Sequence, residues 1–95
     1  MPERATGELD ERLRALAHPV RRQLLAACLS EQRRAGELVA LTGQPDATIS
    51  EHLKVLRKSG LVEMERDGRL RLYRTNRGVI DAVRQELADL GEPPQ

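Results

Sequence analysis

Residues 46–74 read DATISEHLKVLRKSGLVEMERDGRLRLYR, and the rhythm of this stretch changes at Gly60. Before it, Ile49, Leu53 and Leu56 fall four and three apart, the spacing of one face of a helix. After it, apolar residues tend to alternate with charged ones around Asp67-Gly68, the strongest short signal for a hairpin turn. The first half predicts a helix opened by Pro45, running to about residue 59 and stopped by Gly60. The second half predicts strands over 61–65 and 70–75.

Working outward, residues 35–41 predict a short helix with Leu38 and Leu41 inward, closed at Gly43. It is joined to the 46–59 helix by a tight, Gly-containing turn, which makes the pair a helix-turn-helix candidate. Upstream, GELDERLRALAHP (7–19) sets Leu9, Leu13 and Leu16 on one face with acids in the first turn, and Pro19 ends it. Pro19 also suits the first turn of the next helix, PVRRQLLAACLSE, whose Val20, Leu24, Ala27 and Cys28 share a face widened by Leu25 and Leu29. Downstream, residues 77–90 place Ile80, Val83, Leu87 and Leu90 at helical spacing. The expected fold is mainly α with a two-stranded β-hairpin wing: four helices, two strands and a fifth helix, a winged helix-turn-helix. Residues 8–90 would form one domain for DNA binding and dimerisation, with 1–7 disordered and 91–95 a flexible tail.

Ninety-five residues make one domain, which buries only about two-thirds of the surface its unfolded chain exposes, so a large internal cleft is not expected. The apolar fraction is 39%, with no Phe, no Trp and one Tyr, so the core is aliphatic and a partner chain would add burial. Net charge is only +1, but it is unevenly spread. Residues 45–77 hold eight basic side chains against five acids, whereas 78–95 hold one against four. The middle of the chain attracts polyanions and its end repels them. Fourteen of the sixteen basic residues are Arg, whose planar fork fits phosphate and guanine. The single cysteine excludes an intrachain disulfide framework. No signal-peptide core or membrane-length apolar run is present, so a soluble, cytoplasmic protein with no membrane association is expected.

A helix-turn-helix followed at once by a charged hairpin suits duplex DNA, because the major groove admits one helix whose N-terminal side chains reach base edges. The candidates on the 46–59 helix are Asp46, Ala47, Thr48, Ser50, Glu51 and His52, with Lys54 and Lys58 further along. Since Ile49 and Leu53 face the core, the outward set is Ala47, Thr48, Ser50, Glu51 and Lys54. Arg66, Arg69 and Arg71 at the wing would reach flanking phosphates or the minor groove. They could equally form a solvated, ion-paired strand face with Glu63, Glu65 and Asp67.

The segments LAHPVRRQLL, GELVALTG and ATISEHLKVLRKSGLVEMERDGRLRLYR resemble the ArsR family of bacterial winged-helix repressors. Its members typically show a Leu-Ala-x-Pro-x-Arg start and a Ser/Thr-Val-Ser-x-His-Leu-x-x-Leu-x-x-Ala/Ser-Gly-Leu-Val core. The resemblance covers roughly residues 9–75. It implies a homodimer paired through the first and last helices on a near-palindromic operator, with Thr48, Ser50 and His52 on the recognition helix. Leu9, Leu13, Ile80, Val83 and Leu87 would carry the dimer contact. Three departures stand out. Where many members have a metal-sensing Cys-x-Cys-Glu-Leu motif, this chain has RAGEL, with Arg34 and Gly36 in place of the cysteines. Where others hold zinc through Asp, His and Glu on the last helix, Asp81, Glu86 and Asp89 have no His beside them. No metal or other cofactor is expected. Asp46, where the family often has Gln, either caps the helix or accepts from cytosine N4.

Cys28 reads as a small buried hydrophobe in preference to a redox or persulfide sensor, which would need a second thiol from a partner. His18 reads as capping or packing at the start of the second helix, and His52 either packs or touches DNA. A winged helix used for protein binding is a rival disfavoured by the lack of exposed aromatic anchors, and single-strand binding needs stacking platforms that a lone Tyr73 does not provide. No catalytic motif is present, so no enzyme is expected. The release signal stays open between a small-molecule effector at the dimer interface, a partner protein, Cys28 oxidation, and none.

Overall fold

The computed structural model describes residues 3–91, with side chains from Gly7 onward. The order is α1 (Glu3–Leu16), α2 (Pro19–Ser30), α3 (Ala35–Thr42), α4 (Asp46–Lys58), β1 (Val62–Asp67), β2 (Leu70–Thr75) and α5 (Arg77–Leu90). This is the expected architecture, with shifted boundaries at the start of the first helix and at both ends of the first strand, which begins at Val62 instead of residue 61. Helix α1 begins at Glu3, ahead of the 7–19 pattern, so residues 3–7 of the stretch expected to be disordered are helical backbone. Residues 1, 2 and 92–95, the rest of the ends expected to be disordered or flexible, lie outside the described residues. Strand β1 runs on to Asp67, because the hairpin turns one residue later than Asp67-Gly68 suggests.

Asp67 pairs with Leu70, which leaves Gly68 and Arg69 as the two turn residues. Gly68 has φ +63° and no non-glycine residue among those described has positive φ, the pattern of a type II′ turn with Gly first. That turn keeps the strands' right-handed twist and puts Arg69 at the tip.

The core is built from α2 (Leu24, Leu25, Cys28), α3 (Leu38) and α4 (Ile49, Leu53, Leu56), closed by Leu61, Val62 and Tyr73. Each fully buried Leu or Ile adds roughly 2–3 kcal/mol. Helix α4 ends in a Schellman arrangement: Leu61 N–H donates to Leu56 O and Gly60 N–H to Arg57 O, each at 3.0 Å. Gly60 has φ +80°, open to glycine at little cost, and the paired Leu56 and Leu61 are both fully buried. The change of rhythm at Gly60 is therefore a helix stop that aims the chain straight into β1.

The wing is fixed at its root. Arg33 and Tyr73 exchange main-chain bonds of 2.9 and 2.8 Å, making residue 33 a short third rung beside β2. Thr75 Oγ1 donates to Leu25 O at 2.7 Å in the interior, joining β2 to α2. Helix α5 then starts at Asn76, whose Oδ1 accepts from Val79 N–H at 3.2 Å.

Candidate nucleic-acid interface

Helix α4 presents two faces. Ile49, His52, Leu53 and Leu56 are buried, spaced three, one and three residues apart as one side of a helix requires. On the other side Asp46, Ala47, Ser50, Glu51, Lys54, Arg57 and Lys58 are exposed, with Thr48 at the margin. All the expected recognition residues except His52 are thus at the surface or its edge. Arg57, absent from the expected set, belongs with them: it lies three residues after Lys54 and seven after Ser50, a spacing that would have found it.

His52 is the correction. It is 9% exposed and turned inward, so it is not on the face offered to a groove. Arg21 Nε donates to His52 Nδ1 at 3.1 Å, and the His18 ring lies 4.4 Å away centroid to centroid, tilted by 56°. The bond requires neutral His52 to carry its proton on Nε2. Burial lowers its pKa below the ordinary histidine value, the electrostatic influence of His18 and Arg21 lowers it further, and Glu51 opposes them. His18 is the N-cap residue of α2 by backbone geometry but makes no capping bond. Its Nδ1 is buried with no hydrogen-bond partner among the described residues.

Asp46 is the first residue of α4, while the cap position belongs to Pro45, so the capping alternative does not hold in its strict form. The Asp46 carboxylate still sits favourably at the positive end of the helix.

The wing sorts its charges by face. Successive strand residues point to opposite sides, so Glu63, Glu65 and Asp67 share one face with their partners Arg74, Leu72 and Leu70. Val62, Met64 and Arg66 share the other with Thr75, Tyr73 and Arg71. Arg66 and Arg71 stand directly opposite each other, on the face away from the strand acids. The acid face is engaged elsewhere: Gln32 Nε2 donates to Glu65 Oε2 at 3.1 Å. Among the described residues no carboxylate pairs with Arg66, Arg69 or Arg71, so the ion-paired strand face is not what forms.

The expected dimer residues divide. Leu13 and Leu87 are exposed at 37% and 46%, and Leu90, not among those expected, at 78%. Val83 is the second correction, being 4% exposed inside the single chain, and Ile80 packs partly on the core. Leu9 is half-buried.

Arg34 and Glu37 on α3 pair with each other at 3.4 Å, and Glu37 accepts from Arg34 N–H at 3.1 Å. That backbone bond, ahead of the nearby guanidiniums, holds the Glu37 carboxyl below its usual pKa. Among the described residues no group of three or more His, Cys, Asp or Glu side chains could hold an ion. Cys28 is fully buried and burial pushes its pKa up to about 11, so the thiol is un-ionised at neutral pH. No described helix is long and apolar enough to cross a membrane.

Residues 18–64 match the family described as bacterial regulatory protein, arsR family. Over 89 residues the chain is 46% identical to the HTH-type transcriptional repressor SmtB of Mycobacterium tuberculosis, an alignment covering 93% of this chain and 64% of that repressor. Over 74 residues it is 35% identical to the HTH-type transcriptional regulator YgaV of Escherichia coli, covering 75% of this chain and 73% of that one. Among solved structures it is similar to the homodimeric winged helix-turn-helix DNA-binding domain of Mb0332 from Mycobacterium bovis, with a TM-score of 0.78 at 24% identity over 98% of this chain and 87% of that one. That likeness is one of fold, while the sequence matches carry the descent: the chain belongs to the arsR family of bacterial regulatory proteins.

Proposed function

We propose that this chain binds double-stranded DNA as a homodimer and represses transcription by occupying a near-palindromic operator in the bacterial cytoplasm. The observation that carries the reading is the wing's Arg66–Arg71 pair. Like charges placed directly across two strands destabilise a hairpin, by up to about 1 kcal/mol, and among the described residues no carboxylate pairs with either guanidinium to offset that cost. An anion between or beneath them would, and the phosphate backbone or the electronegative minor groove supplies one. Helix α4 complements the wing, because its outward face has small and hydrogen-bonding side chains near its start, for base edges, and Lys54, Arg57 and Lys58 towards its end, for phosphates.

Dimerisation follows from Leu13, Leu87 and Leu90, which leave apolar surface on α1 and α5 that a second copy would cover. A two-fold dimer places two α4 helices in major grooves about one helical turn apart. The role is one of binding, not catalysis. No thiolate metal site is part of it.

The test is selection of binding sites from random duplex DNA at low and near-physiological salt. Enrichment of an inverted repeat with half-sites about one turn apart supports the reading. Salt-sensitive but sequence-blind binding refutes the specific repressor. Within the selected site, replacing Thr48 or Ser50 should relax preference at particular bases.

A further inference from the structure

A helix lying in the major groove has a ridge of phosphates on either side of it, and the wing can reach only one. His52 and Arg57 are five residues apart, about 140° around the helix, so the group that meets His52 stands on a different side of α4 from the one that meets the wing. The Arg57 flank meets the wing, where Lys54, Arg57 and Lys58 line a groove with Val62, Glu63 and Met64 of β1. The His52 flank meets Arg21, from the first turn of α2. We propose that the corner between α1 and α2, carrying Arg14, Arg21 and Arg22, is a second phosphate-binding surface that grips the backbone ridge on the side of α4 away from the wing. The proposal rests on the DNA-binding reading above.

Two features of the corner support it. The arginines are held in place by the turn itself: Arg21 Nη1 donates to Arg14 O at 3.5 Å and Arg22 Nη1 to Leu16 O at 2.7 Å. These bonds satisfy the last carbonyls of α1 and use only part of each guanidinium's five donors. A pre-positioned fork loses less entropy on meeting a phosphate than a free surface arginine does.

The second feature is that, among the described residues, these arginines form no ion pair. Arg33 and Arg34, at the start of α3, are tied to Glu31 and Glu37 at 2.9 to 3.7 Å. Among the described residues no carboxylate pairs with Arg14, Arg21 or Arg22, and the first turn of α2 contains no acid. Arg14 and Arg22 are exposed, while Arg21 is half-buried against α4. The start of α3, from which a helix-turn-helix commonly touches the backbone, is thus the neutralised site here, and the corner before α2 is the cationic one.

The test is the salt dependence of binding to a random-sequence duplex pool long enough for both half-sites, read from about 50 to 200 mM salt, for the full chain and three variants. Each lost phosphate contact removes about 0.9 from the slope of log affinity against log salt, so R14A/R22A should lower its magnitude by about two per protomer and about four for the dimer, making the affinity loss across that range at least about a hundredfold smaller. R14A alone leaves the Arg22–Leu16 bond in place and should lower the slope by about one per protomer without moving the thermal midpoint. R69A/R71A gives the comparison at the wing. If the wing variant lowers the slope and both corner variants keep the wild-type slope, the corner is not a phosphate contact and the DNA-binding reading stands alone. If the wild-type chain binds no duplex, both readings fall.

Discussion

Acidification should loosen this protein through His52, and the structure sets both sign and window. Neutral His52 accepts from Arg21 Nε at 3.1 Å; once protonated, Nδ1 becomes a donor facing a donor, beside the His18 ring. Burial, then His18 and Arg21, hold its folded pKa below the ordinary value of 6.5, with Glu51 opposing. For a base with a depressed folded pKa, both states are neutral above about 6.5 and stability is complete there. As pH falls through 6.5 the unfolded chain takes up the proton first, and stability drops until the folded pKa is reached and the loss levels off. One proton limits the slope to about 1.4 kcal/mol per pH unit. For a domain of this size each 1 kcal/mol moves the thermal midpoint by about 4–8 °C. Thermal unfolding followed by circular dichroism between pH 7.5 and 5.5 should therefore show a midpoint that falls as the pH is lowered. His52→Gln keeps an oxygen that can accept from Arg21 but does not titrate, so it should be less stable at pH 7.5 yet nearly flat across the same window. A variant that tracks the wild-type slope in parallel would show that the acid sensitivity has another source and refute the argument.

Three other perturbations separate function from stability. Replacing Arg66 and Arg71 with Ala removes two directly opposed charges, so the fold should keep its stability or gain up to about 0.5 kcal/mol, while the salt slope of duplex binding falls by about two per protomer; an equal loss of stability would contradict the facing-charge argument. Gly60→Ala forces a side chain into φ +80° but meets only Val79 Cγ2, at 3.8 Å; backbone strain alone should cost about 1–2 kcal/mol, read by urea unfolding. Cys28, fully buried and with its pKa pushed up to about 11, should react with a maleimide at pH 7 roughly a thousandfold more slowly in the folded chain than in denaturant, and fast labelling of the native state would reopen a redox role.

The recognition helix and wing were legible because each boundary had a local cause. Gly60 stops α4 through its own dihedral preference, Pro45 opens it, and the alternating charges of 62–75 leave a strand as the only economical reading. His52 was left open between packing and DNA contact, although the signal for packing was present: Ile49, His52, Leu53 and Leu56 make one inward stripe, which a polar residue type obscured. Val83 could not have been divided from Leu87 by spacing, because the apolar stripe of α5 serves the chain's own core on one side and outward-facing surface on the other. The II′ turn needed the register, which shifts the central pair from Asp67-Gly68 to Gly68-Arg69. The α1–α2 corner was out of reach of sequence reasoning, since only tertiary packing shows which flank of α4 its arginines occupy.

Two cationic side chains anchor α4 from behind, and this bears on how a dimer would set its reading heads. Arg21 holds the middle of the helix through His52, and Arg12 Nε reaches Ser59 O, at the helix's C-terminal cap, at 3.4 Å. A cation at that end suits the negative pole of α4, and Ser59 is buried there with its own hydroxyl turned back to Leu56 O at 3.0 Å. Arg12 sits one residue before Leu13, the exposed apolar residue of α1. The surface that would meet a second copy is therefore one residue along α1 from the group that holds the end of α4. If dimer packing fixes α1, the distance between the two α4 helices is fixed through Arg12 and the core beneath it, and the wing is carried along by the stop at Gly60. In a dimer of the proposed kind, half-site spacing would then depend on α1 and α5, and base preference on the first two turns of α4. Substitutions at Leu13 or Leu87 should accordingly disturb the preferred spacing without changing the bases preferred within a half-site.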